Sequence, residues 1–254
     1  MVNLSNLINS NTFIISDTHF GHHNILQYEP VRVEYLSDYD QDATEQCQHL
    51  LDLFDFIPKE QQFQHEEIKF ICKELIHSHD KMLQEKWNSV VGENDTVLHL
   101  GDFAFKNIEE YTKKLNGNKI ILRGNHDLKH GNHYIESGWK DIIESVKMNI
   151  NGNIFELQPN VDKYWNGFLT VINDTRIMFT HYPLFNSNDW DLKKYGHITQ
   201  MLENIYTGYD AQVNIHGHIH SKKSDFKNAI NVSTEKCPGL RPITIGELLQ
   251  LNTF

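Results

Sequence analysis

The chain has 254 residues, 39% of them hydrophobic and 11% aromatic, with a formal net charge of −11 at pH 7. That length supports one large α/β domain with a full core, the composition excludes a disordered chain, and no apolar run approaches the roughly 20 residues that span a bilayer. An acidic chain also lacks the broad cationic surface that long nucleic acid requires, although ions bound in a cleft can invert the local field.

Taken in order, Thr12 to Ser16 reads as a short buried strand that delivers Asp17 and His19 into a loop. A polar, acidic stretch follows at about residues 30–64, and residues 44–56 within it have the spacing of a short helix with no obvious packing face. Ile68, Ile71, Cys72, Leu75, Met82, Leu83 and Trp87 recur at helical spacing, which predicts one long amphipathic helix over residues 66–90. A strand at 96–100 ends at Gly101-Asp102. A helix at 109–115 closes at Asn116-Gly117-Asn118, and a strand at 119–122 stops at Arg123-Gly124-Asn125-His126-Asp127. Further strands are predicted at 141–146, 168–172, 176–180, 211–215 and 229–232, with a helix at 198–206. Together these describe a single domain over residues 1–254 that carries a polar, acidic insertion at about 30–64.

Cys47, Cys72 and Cys237 are far apart and form no C-x-x-C pair, so they read as free thiols in a reducing compartment. The N-terminus has neither the basic start nor the apolar stretch of a signal peptide, and the protein is expected to be cytoplasmic.

The recurring event is a short apolar strand that stops at a polar residue able to bind metal. In α/β sheets ligands collect beyond the carboxyl ends of strands, so these ends can meet. Asp17, His19, Asp102, Asn125, His181, His218 and His220 form a mixed nitrogen and oxygen donor set. Such a set suits manganese, iron, zinc or nickel, and neither a thiolate zinc site nor a calcium cage. Gly124 and Gly217 permit close backbone approach beside Asn125 and His218. Taken singly, each piece also fits an ordinary turn or a packed histidine; five in this order, each at a strand end, do not.

The series Asp17-Thr18-His19, Gly101-Asp102, Gly124-Asn125-His126-Asp127, His181 and Gly217-His218-Ile219-His220 resembles the five blocks of the calcineurin-like metallophosphoesterases. The likeness runs from about Phe13 to Val232, and Asp17 to His22, Asp95 to Phe103 and His181 to Leu184 resemble the small bacterial and phage branch. The resemblance implies an α/β (α+β) four-layer sandwich of two mixed β-sheets flanked by α-helices. It implies two divalent ions, manganese first. Asp17, His19, Asp102 and His220 would hold one; Asp102, Asn125, His181 and His218 would hold the other, with Asp102 bridging. The implied activity is hydrolysis of a small phosphodiester, such as a cyclic nucleotide or an oligonucleotide end. A phosphomonoesterase is the alternative in the same chemistry, and a non-catalytic scaffold the alternative outside it.

His126 is expected to stabilise or protonate the leaving oxygen, with Asp127 fixing its tautomer. Arg123 reads equally as a phosphate clamp and as a surface arginine beside a strand. His22 is placed at the substrate mouth, against the plainer alternative that it and His23 are solvated loop histidines. His216 is expected behind the ligands, and His65, His77 and His79 need no functional account. The chain departs from a minimal family member in the long gap between Asp17 and Asp102, which bears on substrate choice. Small phosphate esters are the expected partners, with no membrane and no extended nucleic-acid surface.

Overall fold

The computed structural model describes residues 4–130, 132–157, 165–187 and 189–252. The short apolar runs form strands β1 (Phe13–Ile15), β2 (Thr96–His99), β3 (Asn118–Leu122), β4 (Asp141–Ile143), β5 (Val146–Ile150), β6 (Asn153–Leu157), β7 (Gly167–Ile172), β8 (Thr175–Phe179), β9 (Val213–His216), β10 (Ala229–Asn231) and β11 (Ile243–Thr244). They make two mixed sheets, in the orders β11-β1-β2-β3-β4 and β10-β9-β8-β7-β5-β6. Strands β1 to β4 are mutually parallel, and so are β8, β9 and β10; β11, β6 and the β7/β8 pair supply the antiparallel neighbours. The β5/β6 and β7/β8 hairpins turn at Asn151-Gly152 and Asn173-Asp174, whose left-handed backbones match the twist of two-residue hairpins.

Helices flank both sheets: α1 (Leu4–Leu7), α2 (Ile25–Tyr28), α3 (Val31–Tyr39), α4 (Thr44–Phe56), α5 (Lys59–Gln62), α6 (Glu66–Asn88), α7 (Ile108–Lys114), α8 (His133–Glu136), α9 (Asp189–Gly208) and α10 (Ile245–Leu251). None is long and apolar enough to cross a membrane. Side chains alternate along the second sheet. Phe168, Ile177, Phe179 and Ile215 face a core shared with Ile14, Leu98 and Ile121 of the first sheet, while Leu169 and Met178 pack with Ile198 and Leu202 of α9. Helix α6 buries the predicted stripe from Ile68 to Trp87, each large side chain contributing about 1.5–3 kcal/mol.

Three sequence expectations change. Residues 141–146 are not one strand, because the chain leaves the first sheet after Ile143 and enters the second at Val146. The polar stretch at 30–64 is helical: α3 and α4 bury Val33, Leu36, Cys47 and Leu50 against α6 and turn Asp38, Asp42, Glu45, Asp52 and Asp55 to solvent. It is an amphipathic helical pair, and its acidic face hid its apolar one. Helix α9 is longer than its apolar core suggested. All three cysteines are free and buried.

Candidate metal centre

Strands β1, β2 and β3 of one sheet and β8 and β9 of the other end at the same edge, and each hands its chain to a polar loop there. The loops interlock. Backbone N–H groups of Asp17, His19 and Phe20 donate to the carbonyls of Gly101, Asp102 and Phe103, tying the first loop to the second. A Cβ at Gly124 would lie 2.2 Å from Asp102 Oδ1, and one at Gly217 would lie 2.3 Å from Asp17 Oδ2, so both approaches require glycine. Asp17 (φ 57°), His19 (φ 52°), Asp102 (φ 56°), His218 (φ 71°) and His220 (φ 51°) all adopt the left-handed backbone region. Such conformations cost on the order of 1–3 kcal/mol each and persist where surrounding structure enforces them. They recur at both flanking positions of Asp17-x-His19 and His218-x-His220 and at neither central residue.

Ligating atoms of Asp17, His19 and His220 lie within 4.8 Å of one another, and so do those of Asp17, Asp102 and His181. Asp102 Oδ2 stands 3.7 Å from His19 Nε2 and 3.6 Å from His181 Nε2. Asp17 is thus common to both groups, with Asp102 between His19 and His181. Asn125 Oδ1 is 3.1 Å from His181 Nε2. The His218 ring adjoins His181, with centroids 5.1 Å apart, and its backbone N–H donates to Asp17 Oδ2 at 2.8 Å.

The donor atoms fit divalent ions. Asp17 Oδ1 and both nitrogens of His19 are buried without a hydrogen-bond partner, at about 1–3 kcal/mol for each unsatisfied group. Burial, with the charges of Asp127 and Asp17, pushes the Asp102 carboxyl well up. Burial also raises Asp17, but His220, His181, the Ser16 hydroxyl and the His218 backbone pull it down to about 2. Burial lowers His19 well below its usual value and takes His181 to about 4, so both are neutral imidazoles with lone pairs to offer. Crowded buried carboxylates beside neutral imidazoles are an environment that a cation relieves.

A layer behind these residues escaped the sequence. Arg32, fully buried on α3, donates to the carbonyl oxygens of Asp17 (2.6 Å) and Thr18 (2.9 Å), and its Nε donates to Glu235 Oε1 at 2.5 Å. Both Glu235 oxygens lie 3.4 Å from His220 Nδ1. Burial alone would lower His220, yet Glu235 and Asp17 raise it. His79 Nε2 is 3.5 Å from Arg32 Nη1, and its Nδ1 meets Asp80, which accepts from the Gly21 N–H and the Tyr111 hydroxyl. His79, set aside as a helix residue, thus belongs to the support of the 17–21 loop. The available signal was an arginine set beside the apolar stripe of α3, masked by the acids around it.

Two expected roles change. Asp127 does not hold His126. Its carboxylate accepts from the backbone N–H groups of Asp102 (2.6 Å), Gly124 (2.7 Å) and Phe103 (3.3 Å) and from the Tyr134 hydroxyl, which exhausts it. Arg123 is buried rather than a surface residue, and its guanidinium pairs with Glu144 just past β4. His126 is half-exposed, with Nε2 3.9 Å from Asp102 Oδ2. His22 packs 5.5 Å from His19, ring to ring, and is only partly exposed. His216 is fully buried, its Nδ1 against the Gly217 carbonyl.

A family model described as the calcineurin-like phosphoesterase superfamily domain matches residues 76–248. An uncharacterized protein of Methanocaldococcus jannaschii is 28% identical over 120 residues, covering 45% of this chain and 46% of its own length, so this chain spans about half of that relative. A solved structure of a protein of unknown function from Aquifex aeolicus superimposes with a TM-score of 0.57 at 20% identity, over 94% of this chain and 98% of that one, and shares the fold. A solved archaeal phosphodiesterase covers 64% of this chain and 76% of its own at 18% identity, with a TM-score of 0.33, too loose to carry an argument.

Proposed function

The chain belongs to the calcineurin-like phosphoesterase superfamily, and from that premise we propose that it hydrolyses a small phosphodiester at two divalent ions. Asp17, His19, Asp102, Asn125, His181, His218 and His220 would hold the ions. The observation that carries this is the convergence of unpartnered Asp17 and His19 atoms on Asp102, His181 and His220 at one edge of both sheets. Divalent ions in such a site make water a nucleophile near neutral pH and offset charge developing on the phosphoryl group.

The chain's own contribution is to prepare that geometry. The interlocked loops fix the donors before substrate arrives, so little reorganisation remains at the moment of reaction. His126 lies beside Asp102 with much of its imidazole open to solvent, where a leaving oxygen can reach it. Burial lowers its pKa against the pull of Asp127 and Asp17, so the resting ring is neutral and offers an N–H hydrogen bond. The negative charge of a bound ester favours its protonated form, which suits proton donation to the departing oxygen. His22, packed beside His19, would line the mouth.

The preference for a small diester rests on charge. A net charge of −11 argues against a broad cationic surface, so a substrate would be gripped through one or two phosphates. Chelation followed by manganese, nickel, iron or zinc add-back on model mono- and diesters tests the proposal. Restored turnover with diesters ahead of monoesters is the expected outcome. Preference for monoesters would make it a phosphatase, and no turnover with any ion would leave a scaffold of the same fold.

A further inference from the structure

Outward from His19 the site continues into a row of aromatic rings that the hydrolytic chemistry does not use. We propose that this row, ending in Tyr28 and Phe63, binds the nucleobase of a nucleotide-type ester, an inference that rests on the phosphoesterase proposal only for the position of the phosphate. His22 stacks on Phe105, with centroids 3.8 Å apart and planes 12° from parallel. Both rings lie 5.5 Å from His19, and Phe105 lies 4.6 Å from His126. Further out, Tyr28 is 6.2 Å from His22, and Phe63 is 4.9 Å from Tyr28.

Tyr28 is 48% exposed and Phe63 36% exposed, although each is large enough to gain from burial. The aliphatic neighbours Ile25 and Leu26 are buried, so this surface offers ring faces rather than a greasy groove for an acyl chain. His22 Nδ1 is buried with no hydrogen-bond partner, a polar atom available to the edge of a base or to a ribose hydroxyl. A nucleobase supplies both matching features, a flat π-face and a polar rim. Stacking also tolerates any base and needs no cationic track, which agrees with the acidic charge of the chain. Phe63 follows α5, so the helical segment at 30–64 would furnish the outer wall of the site.

Adenosine, which carries no phosphate, separates this proposal from the hydrolytic one. Titrated onto metal-free protein and followed by saturation-transfer NMR, it should receive magnetisation through its base protons. The Tyr28→Leu/Phe63→Leu variant, which keeps apolar volume and loses the ring faces, should bind adenosine about tenfold more weakly. In the metal-loaded enzyme, the ratio of kcat/KM for a dinucleotide to that for a base-free ribose phosphodiester should fall by a similar factor. Equal adenosine binding by both proteins, or an unmoved ratio, overturns the proposal. If no ester is turned over, the adenosine titration still decides it, and if the double variant does not fold, Phe63→Leu alone is read the same way.

Discussion

Two loops at the same edge of the molecule each bury an aspartate completely, and they use it in opposite ways. In the loop after β1, Asp17 Oδ2 accepts from the His218 N–H and the Ser233 hydroxyl, while Oδ1 has no partner. In the loop after β3, both oxygens of Asp127 are fully engaged by three backbone N–H groups and Tyr134. Beside Asp17, His19 likewise keeps two unpartnered nitrogens. The first loop leaves donor atoms unpartnered, and the carboxylate of the second is spent on the scaffold. Residue type does not distinguish these uses; the partners do.

Replacing each aspartate by its isosteric amide breaks or sharpens that contrast. Asp17→Asn keeps one oxygen for His218 and Ser233 and puts an amino group where the ions should bind. Turnover should fall below detection, with a folding stability within about 1 kcal/mol of the parent in denaturant titration. Two tightly held ions and full turnover would show that Asp17 is scaffold after all. Asp127→Asn should do the reverse. It sets an amino group against backbone donors and removes charge-assisted bonds worth about 1.5–3 kcal/mol each, so the unfolding free energy should drop by at least about 3 kcal/mol. An unchanged denaturation midpoint would refute the scaffold assignment.

Smaller changes probe the supports. Glu235→Gln leaves the ligand set intact but weakens the hold on His220, and residues behind a ligand typically tune affinity about 10–100-fold. Calorimetric titration of metal into the metal-free variant should show that loss for one of the two ions. Arg123→Met should have the least effect, about 1 kcal/mol of stability, since Glu144 is half-exposed and its pairing is screened. The KM for a model diester should stay within about threefold, the scale of a fraction of one kcal/mol. A tenfold rise would return Arg123 to the substrate.

Much of the fold and of the convergence was legible in the sequence because the strands are short apolar runs that end on residues able to bind metal. Asp17, His19, Asp102, Asn125, His181, His218 and His220 could be named as candidates from that pattern. What stayed hidden depends on distant pairing. Arg32 looks like one cation among acids until α3 packs on α6, and Glu235 until it meets that guanidinium. Asp127 and His126 are adjacent in sequence, which suggested a partnership; the backbone instead turns the carboxylate inward to Asp102 and Gly124. The sheet change after Ile143 was invisible for a related reason, since either sheet accepts an apolar run and only tertiary packing chooses.

The grip on Asp17 has a consequence for how the molecule is made. His218 and Ser233 lie 201 and 216 residues along the chain from the carboxylate they hold, Glu235 lies 203 residues from Arg32, and β1 pairs with β11 at Phe13 and Thr244. A nascent chain emerging from the ribosome therefore carries its first donor loop through the synthesis of at least 201 further residues before those that shape it appear. Contacts of such separation form slowly, because loop closure precedes any reward. Until then Asp17 and His19 belong to an open loop, and the order of translation makes the arrival of residues 218–235 a late step in shaping it.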